Sequence, residues 1–238
     1  MELLSVNAAS VRLSAQTGAQ LALSQVSLRI NAGERIALVG ANGSGKSTLL
    51  RLINGLLLPV QGQVRAQTPV SQAMLFQRPH MLRLSVLRHV ALGLWLRGTT
   101  WTAARAQALQ ALQRVGLAEL AERAARTLSV GQQQRVAMAQ ALAMEPVLLL
   151  LDEPTASLDP HAKREVEALM EDFARSHPQA AMVFASHNLG QVKRLAQRVV
   201  YLEGGRVLAD LPVADFFNPA VLQSRSPSAH LFTQGELA

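Results

Sequence analysis

Residues 40–48 read Gly40-Ala41-Asn42-Gly43-Ser44-Gly45-Lys46-Ser47-Thr48, and they follow the apolar run Ile36-Ala37-Leu38-Val39. A strand, a glycine loop and a helix start thus stand in the order that a phosphate-binding loop requires. Gly40, Gly45, Lys46 and Ser47 meet the spacing G-x-x-x-x-G-K-[ST]. The residue types follow from the chemistry. Backbone N–H groups must close around phosphate oxygens, and side chains would block that approach. A helix beginning near Lys46 adds its positive N-terminal end. In this pattern the Lys46 ammonium reaches the β- and γ-phosphates and the Ser47 hydroxyl binds Mg²⁺.

Working outward, Ser5–Leu13 and Leu23–Ile30 are apolar-rich and read as strands, with a turn at Ser14–Gln20 between them. Asn31–Glu34 reads as a turn before the strand at Ile36. A helix is predicted from Lys46 to about Leu56, ended by Pro59. Short strands are predicted at Gln63–Arg65 and Ala73–Phe76. From Ser85 to Met144 the chain is rich in Ala, Leu, Arg and Gln at helical spacing, broken by Gly98-Thr99-Thr100 and Gly116. Val147–Leu151 then reads as a buried parallel strand. A helix at Ala162–Arg175, a strand at Ala180–Ala185, a helix at Leu189–Gln197 and a strand at Val199–Leu202 follow. Alternating strands and helices imply a parallel sheet with crossover helices, into which the helical middle is inserted. Beyond Asn218 the Ser/Pro-containing tail has no readable period.

Composition narrows the function. The 238 residues contain no cysteine, which excludes disulfides and thiolate metal sites. The start Met1-Glu2-Leu3-Leu4-Ser5 lacks the features of a signal peptide, and no apolar stretch approaches the roughly 18 residues of a membrane span. A cytosolic protein is the expectation. The net charge of +7 comes mainly from scattered arginines, since only Lys46, Lys163 and Lys193 are lysines. No basic run reads as a nucleic-acid patch, so no nucleic-acid partner is expected.

A second group of polar residues completes the nucleotide chemistry. Leu148–Leu151 ends in Asp152 and Glu153, and ligands of open α/β sheets sit at the carboxyl ends of strands. Phosphoryl transfer needs charge neutralisation and a positioned nucleophile. Asp152 suits the first role, through the water shell of Mg²⁺, and Glu153 the second, as acceptor of the water's proton. Leu128-Ser129-Val130-Gly131-Gln132-Gln133-Gln134-Arg135 precedes a helical stretch, Val136–Met144, with Ser129 as an N-cap.

Taken together, these motifs resemble the ATP-binding subunits of ABC transporters over nearly the whole chain. The resemblance implies an α/β fold: a P-loop NTPase core with a mixed sheet, an N-terminal antiparallel β subdomain and an inserted helical subdomain. One domain would span 1–238, with its core at about 1–77 and 146–218, the helical part at about 78–145 and a tail at 219–238. It implies ATP and Mg²⁺ as ligands and a head-to-tail homodimer. Ser129, Val130, Gly131 and Gln132 match the family signature, which contacts the γ-phosphate on the partner subunit. Gln77 matches the residue that senses Mg²⁺ and water, Ser157-Leu158-Asp159 the loop that crosses the dimer interface, and His187 the switch histidine. Two departures stand out. Val130 replaces the first glycine of the signature, and valine resists positive φ. Leu13 stands where an aromatic residue usually stacks on adenine, which weakens the expected preference for ATP over GTP.

The same resemblance implies a membrane permease as partner, docking on Arg78–Gly98, and an extracytoplasmic solute-binding protein. It places the subunit on the cytoplasmic face of the membrane. A single cassette without a long heptad insertion favours transport over the translation and DNA-repair members of the family. Phe76-Gln77-Arg78-Pro79, Ser186-His187-Asn188-Leu189-Gly190-Gln191 and Gly235-Glu236-Leu237 are similar to stretches of tungstate-type oxyanion import ATPases. Phosphate, molybdate, amino-acid and metal import stay open.

Overall fold

The computed structural model describes residues 1–13, 21–66 and 70–235. The turn expected at Ser14–Gln20 and the Glu236-Leu237 ending lie outside them. Strand β1 (Glu2–Arg12) pairs antiparallel with β2 (Leu21–Asn31). Strand β3 is Arg35–Val39 and helix α1 is Lys46–Ile53. On its other edge β1 pairs antiparallel with β4 (Gln61–Ala66), giving a three-stranded sheet in the order β2-β1-β4.

A second sheet holds the phosphate loop. Strand β5 (Gln72–Leu75) opens it. Helices α2 (Val86–Leu96), α3 (Trp101–Arg114) and α4 (Val130–Ala143) intervene before β6 (Leu148–Asp152). Helix α5 (Pro160–Ser176), β7 (Ala181–Ala185), α6 (Leu189–Leu195), β8 (Arg198–Glu203) and β9 (Arg206–Pro212) follow. The order is β5-β6-β7-β3-β8-β9, parallel except for antiparallel β9. The sheet is therefore mixed, as expected. Its central strands are apolar on both faces because each face carries its own core. Leu149 and Leu151 of β6 join Met138, Val166 and Phe184 on one side, while Leu148 and Leu150 join Leu28, Leu49 and Ile53 on the other.

The helical middle encloses a third apolar cluster. Ala104, Ala108, Ala111 and Leu112 of α3 lie on one face at the i, i+4, i+7, i+8 spacing of an amphipathic helix. Ser85 and Thr100 cap α2 and α3 as helix starts require.

Several element ends differ from the sequence reading. Helix α1 stops at Ile53, short of Leu56, because Gly55 turns left-handed and the Leu56 N–H folds back to the Arg51 carbonyl. Helix α6 stops at Leu195, because Gln197 instead pairs with Arg35 through both backbone and side chain. Strand β9 was not expected, nor were the tail helices α7 (Val213–Phe216), α8 (Pro219–Arg225) and α9 (Pro227–Gln234). Phe216, Leu222 and Ala229 of the tail are buried in the core shared with β6 and β8. Asn218-Pro219 and Ser226-Pro227 each carry the signal that could have found these helices: a capping residue followed by proline at the first helical position.

Candidate nucleotide site

The phosphate loop leaves the carboxyl end of β3 and closes at α1. Two of its glycines, Gly40 and Gly45, are required by space as well as by conformation. Gly40 has φ 144°, and a Cβ there would sit 2.1 Å from the Leu202 carbonyl oxygen. At Gly45, φ 109°, a Cβ would meet Leu23 at 2.8 Å. Lys46 is only 5% exposed and donates to the carbonyls of Gly40 and Ala41 at 2.7 and 3.0 Å. Burial pulls its pKa down, and the charges of Glu153 and Asp152 oppose that shift. The Ser44 hydroxyl is buried without a partner among the described residues. Asn42 and Gly43 form the outer part of the loop, and Thr48 is buried in the first turn of α1.

Four further groups converge from the carboxyl ends of neighbouring strands, where α/β sheets place their ligands. Asp152, the last residue of β6, accepts a hydrogen bond from Ser47 at 2.8 Å. It is 2% exposed, and burial raises its pKa, with the Ser47 bond and Arg51 acting against the rise. Glu153 follows it with a left-handed φ of 46°. His187 Nδ1, just past β7, lies 3.3 Å from Glu153 Oε2, and Gln77, just past β5, donates to the same oxygen at 3.5 Å. Gly40, Ala41, Asn42, Gln77, Glu153 and His187 line one cavity of about 650 Å³. Phe232 and Thr233 of α9 close one side of it, which the sequence reading missed.

The signature lies elsewhere. Ser129 caps α4 by accepting from Gln132 N at 3.3 Å, and the Gln132 side chain accepts from Ser129 N at 3.0 Å. Gly131 packs against Ala162, where a Cβ would be 3.1 Å away. None of residues 129–132 lines the cavity. The concern over φ at Val130 is corrected: Val130 is the first residue of α4, has no positive φ and is 61% exposed. Ser157 carries a φ of 62°, Leu158 is buried, and Asp159 caps α5 by accepting from His161 N and Ala162 N. Those N–H groups hold the Asp159 carboxyl below its ordinary range. Leu13, one residue past β1, is 60% exposed. The start of β2, paired with that end of β1, packs against Gly45.

A glycine loop around a buried lysine, a hydroxyl–carboxylate pair and a glutamate–histidine contact at the strand ends define a nucleoside-triphosphatase of the P-loop class. Residues 23–156 match the ABC transporter family, and the chain belongs to it. The nickel import ATP-binding protein NikO of Rhodobacter capsulatus is 39% identical over 225 residues, covering 86% of this chain and 89% of that protein. The tungstate uptake system ATP-binding protein TupC of Peptoclostridium acidaminophilum is 36% identical, covering 80% of this chain and 91% of its own. Among solved structures, cbiO1 of Clostridium perfringens, part of an ABC transporter complex, superposes with a TM-score of 0.79 at 28% identity, over 98% of this chain and 99% of that one. A dimeric ATP-binding cassette bound to ADP and phosphate gives 0.81 at 26% identity, over 89% and 99%. The protein is an ATP-binding, ATP-hydrolysing domain of that family. No helix among the described residues is long and apolar enough to cross a membrane.

Proposed function

We propose that this chain is the ATP-binding subunit of an importer, working as a head-to-tail homodimer on the cytoplasmic face of the membrane. The observation that carries the reading is the convergence of Lys46, Ser47, Asp152, Glu153 and His187 on one end of the sheet. Backbone N–H groups of residues 40–48 and Lys46 bind the phosphates of ATP. Mg²⁺, when bound with the nucleotide, would supply charge neutralisation. Ser47 and Asp152 would hold it, with Gln77 at its edge, and their hydroxyl, carboxylate and amide oxygens suit a hard cation. Glu153 takes the proton of the attacking water, and His187 and Gln77 orient that water. The signature at Ser129–Gln132 does not line the cavity beside its own phosphate loop, which suits a role toward the partner's ATP. Ser157, Leu158 and Asp159 then lie between the subunits.

The helical part, about 78–145, receives the permease. A groove of about 410 Å³ lined by Met74, Phe76, Met81 and Met144 lies beside Gln77. Flexible methionines suit a helix of the permease. The cargo we favour is an oxyanion such as tungstate or molybdate, captured by an extracytoplasmic binding protein. The likeness to TupC and the stretches around Gln77 and His187 support it. Metal import is the second reading, favoured by the 39% identity to NikO. Reconstitution with the permease and binding protein separates them. ATP hydrolysis stimulated by tungstate or molybdate, and not by Ni²⁺, supports the first reading, and the reverse supports the second.

A further inference from the structure

Helix α6, which follows His187, buries Gln191 completely beside Val192 and Leu195. A carboxamide in such a position costs free energy unless it is hydrogen-bonded, and an apolar side chain would fill the space without that cost. Gln191 Nε2 donates to the Thr155 hydroxyl at 3.1 Å, whereas its Oε1 has no partner among the described residues. The backbone N–H of Gln191 is held separately by Asn188, whose own N–H donates to Ser186. The side chain is therefore free to make one bond outside its helix, and that bond crosses to the loop after β6.

Thr155 stands in the middle of that loop, buried, between two residues of left-handed φ: Glu153 at 46° and Ser157 at 62°. A non-glycine residue in this conformation is strained and persists only where the surroundings over-determine it. Within the loop, the Ala156 N–H bonds back to the Glu153 carbonyl at 3.0 Å. The bond from Gln191 ties the same loop to the element that carries His187. We propose that Gln191 is a positioning residue for hydrolysis: through Thr155 it holds the strained 153–157 turn against the His187 helix and so fixes the Glu153–His187 distance. The proposal rests on the reading of Glu153 and His187 as the hydrolytic pair.

Gln191→Met keeps the length of the side chain and removes the amide, and Thr155→Val keeps the shape and removes the hydroxyl. Each should lower kcat for ATP at least about tenfold, since small misplacements of reacting groups carry penalties of that order. The Kd for ATP, read by calorimetry on the full chain, should stay within twofold. The double variant should be no slower than either single one. Gln191→Glu, whose carboxylate can accept from the Thr155 hydroxyl, should recover part of kcat. Unchanged kcat in both single variants would overturn the proposal. So would parallel losses of kcat, ATP affinity and melting temperature, which a purely structural role produces. If Gln191→Met does not fold, Thr155→Val decides alone on the same criteria. Glu153→Gln and His187→Ala are measured alongside. If those two hydrolyse ATP normally, the site reading fails; if they are inactive while Gln191→Met and Thr155→Val are normal, only the link fails.

Discussion

Ser47 and Asp152, 105 residues apart in sequence, are joined by a hydrogen bond of 2.8 Å that ties the start of α1 to the end of β6. This bond sets the two oxygen donors of the proposed Mg²⁺ site side by side before any ligand arrives. It also keeps a carboxylate in a buried position, where burial raises its pKa above 3.8. The folded chain thus holds the Asp152 proton to higher pH than the unfolded chain does. Stability of the ligand-free protein should fall as pH rises from 3.8 through the raised folded value. Asp152→Asn keeps an acceptor for Ser47 and removes the charge. It should melt higher than the wild type without ligand at neutral pH, lose that pH dependence, and lose the extra stabilisation that Mg²⁺ gives with ATP. Thermal melts across pH, with and without ATP-Mg²⁺, read all three.

Lys46→Ala should weaken ATP binding by roughly 1.5–3 kcal/mol, about 10- to 150-fold, the range for a charge-assisted hydrogen bond. The lysine also bonds the Gly40 and Ala41 carbonyls, so the variant's loop should be looser without nucleotide. Calorimetry with ATP measures the first effect and hydrogen exchange at residues 41–45 the second. Unchanged affinity would remove Lys46 from the phosphate site.

In the proposed site Leu13, exposed at the end of β1, would offer adenine an apolar contact without a ring. Leu13→Tyr should tighten ATP binding by about 0.5–1.5 kcal/mol, the value of an aromatic stack beyond area burial. Competition between ATP and GTP for the wild type and the variant checks this. No gain for either nucleotide would place the base elsewhere.

Val130 begins α4 in a helical conformation with its isopropyl group in solvent, and the Ser129–Gln132 capping box is intact. Val130→Gly should therefore cost roughly 0.5–1 kcal/mol of helix stability and leave ATP-driven dimerisation unchanged. Urea titration and dimerisation in a Glu153→Gln background test the two parts. A clearly tighter dimer would show instead that the isopropyl group obstructs the partner's ATP.

The legible part of this protein was what local chemistry constrains. Gly40–Thr48 is readable because a phosphate cradle admits few residue types, and Leu148–Asp152 because a strand buried on both faces must be apolar up to its functional end. Ser129 could be read as a cap because the capping role is local. The tail was not legible by periodicity, since α7 to α9 are short and bury only single residues such as Phe216 and Leu222. Strand β9 pairs on one side only, and its exposed Arg206, Leu208 and Asp210 mask the buried Ala209. The burial of Gln191 is not legible in the sequence, because a polar residue in a seven-residue helix reads as surface. At Val130 the signature's glycine suggests a left-handed position, whereas the chain is already helical there.

The central claim is that Glu153 drives hydrolysis of ATP held between two copies of this chain. Light scattering of Glu153→Gln with ATP-Mg²⁺, read beside its hydrolysis rate, tests it most directly. The substitution leaves Asp152 and Lys46 in place and removes the proton acceptor. The predicted result is a stable dimer that forms only with ATP and turns over at least about a hundredfold more slowly than the wild type. Hydrolysis at the wild-type rate, or a monomer at saturating ATP, would contradict the account.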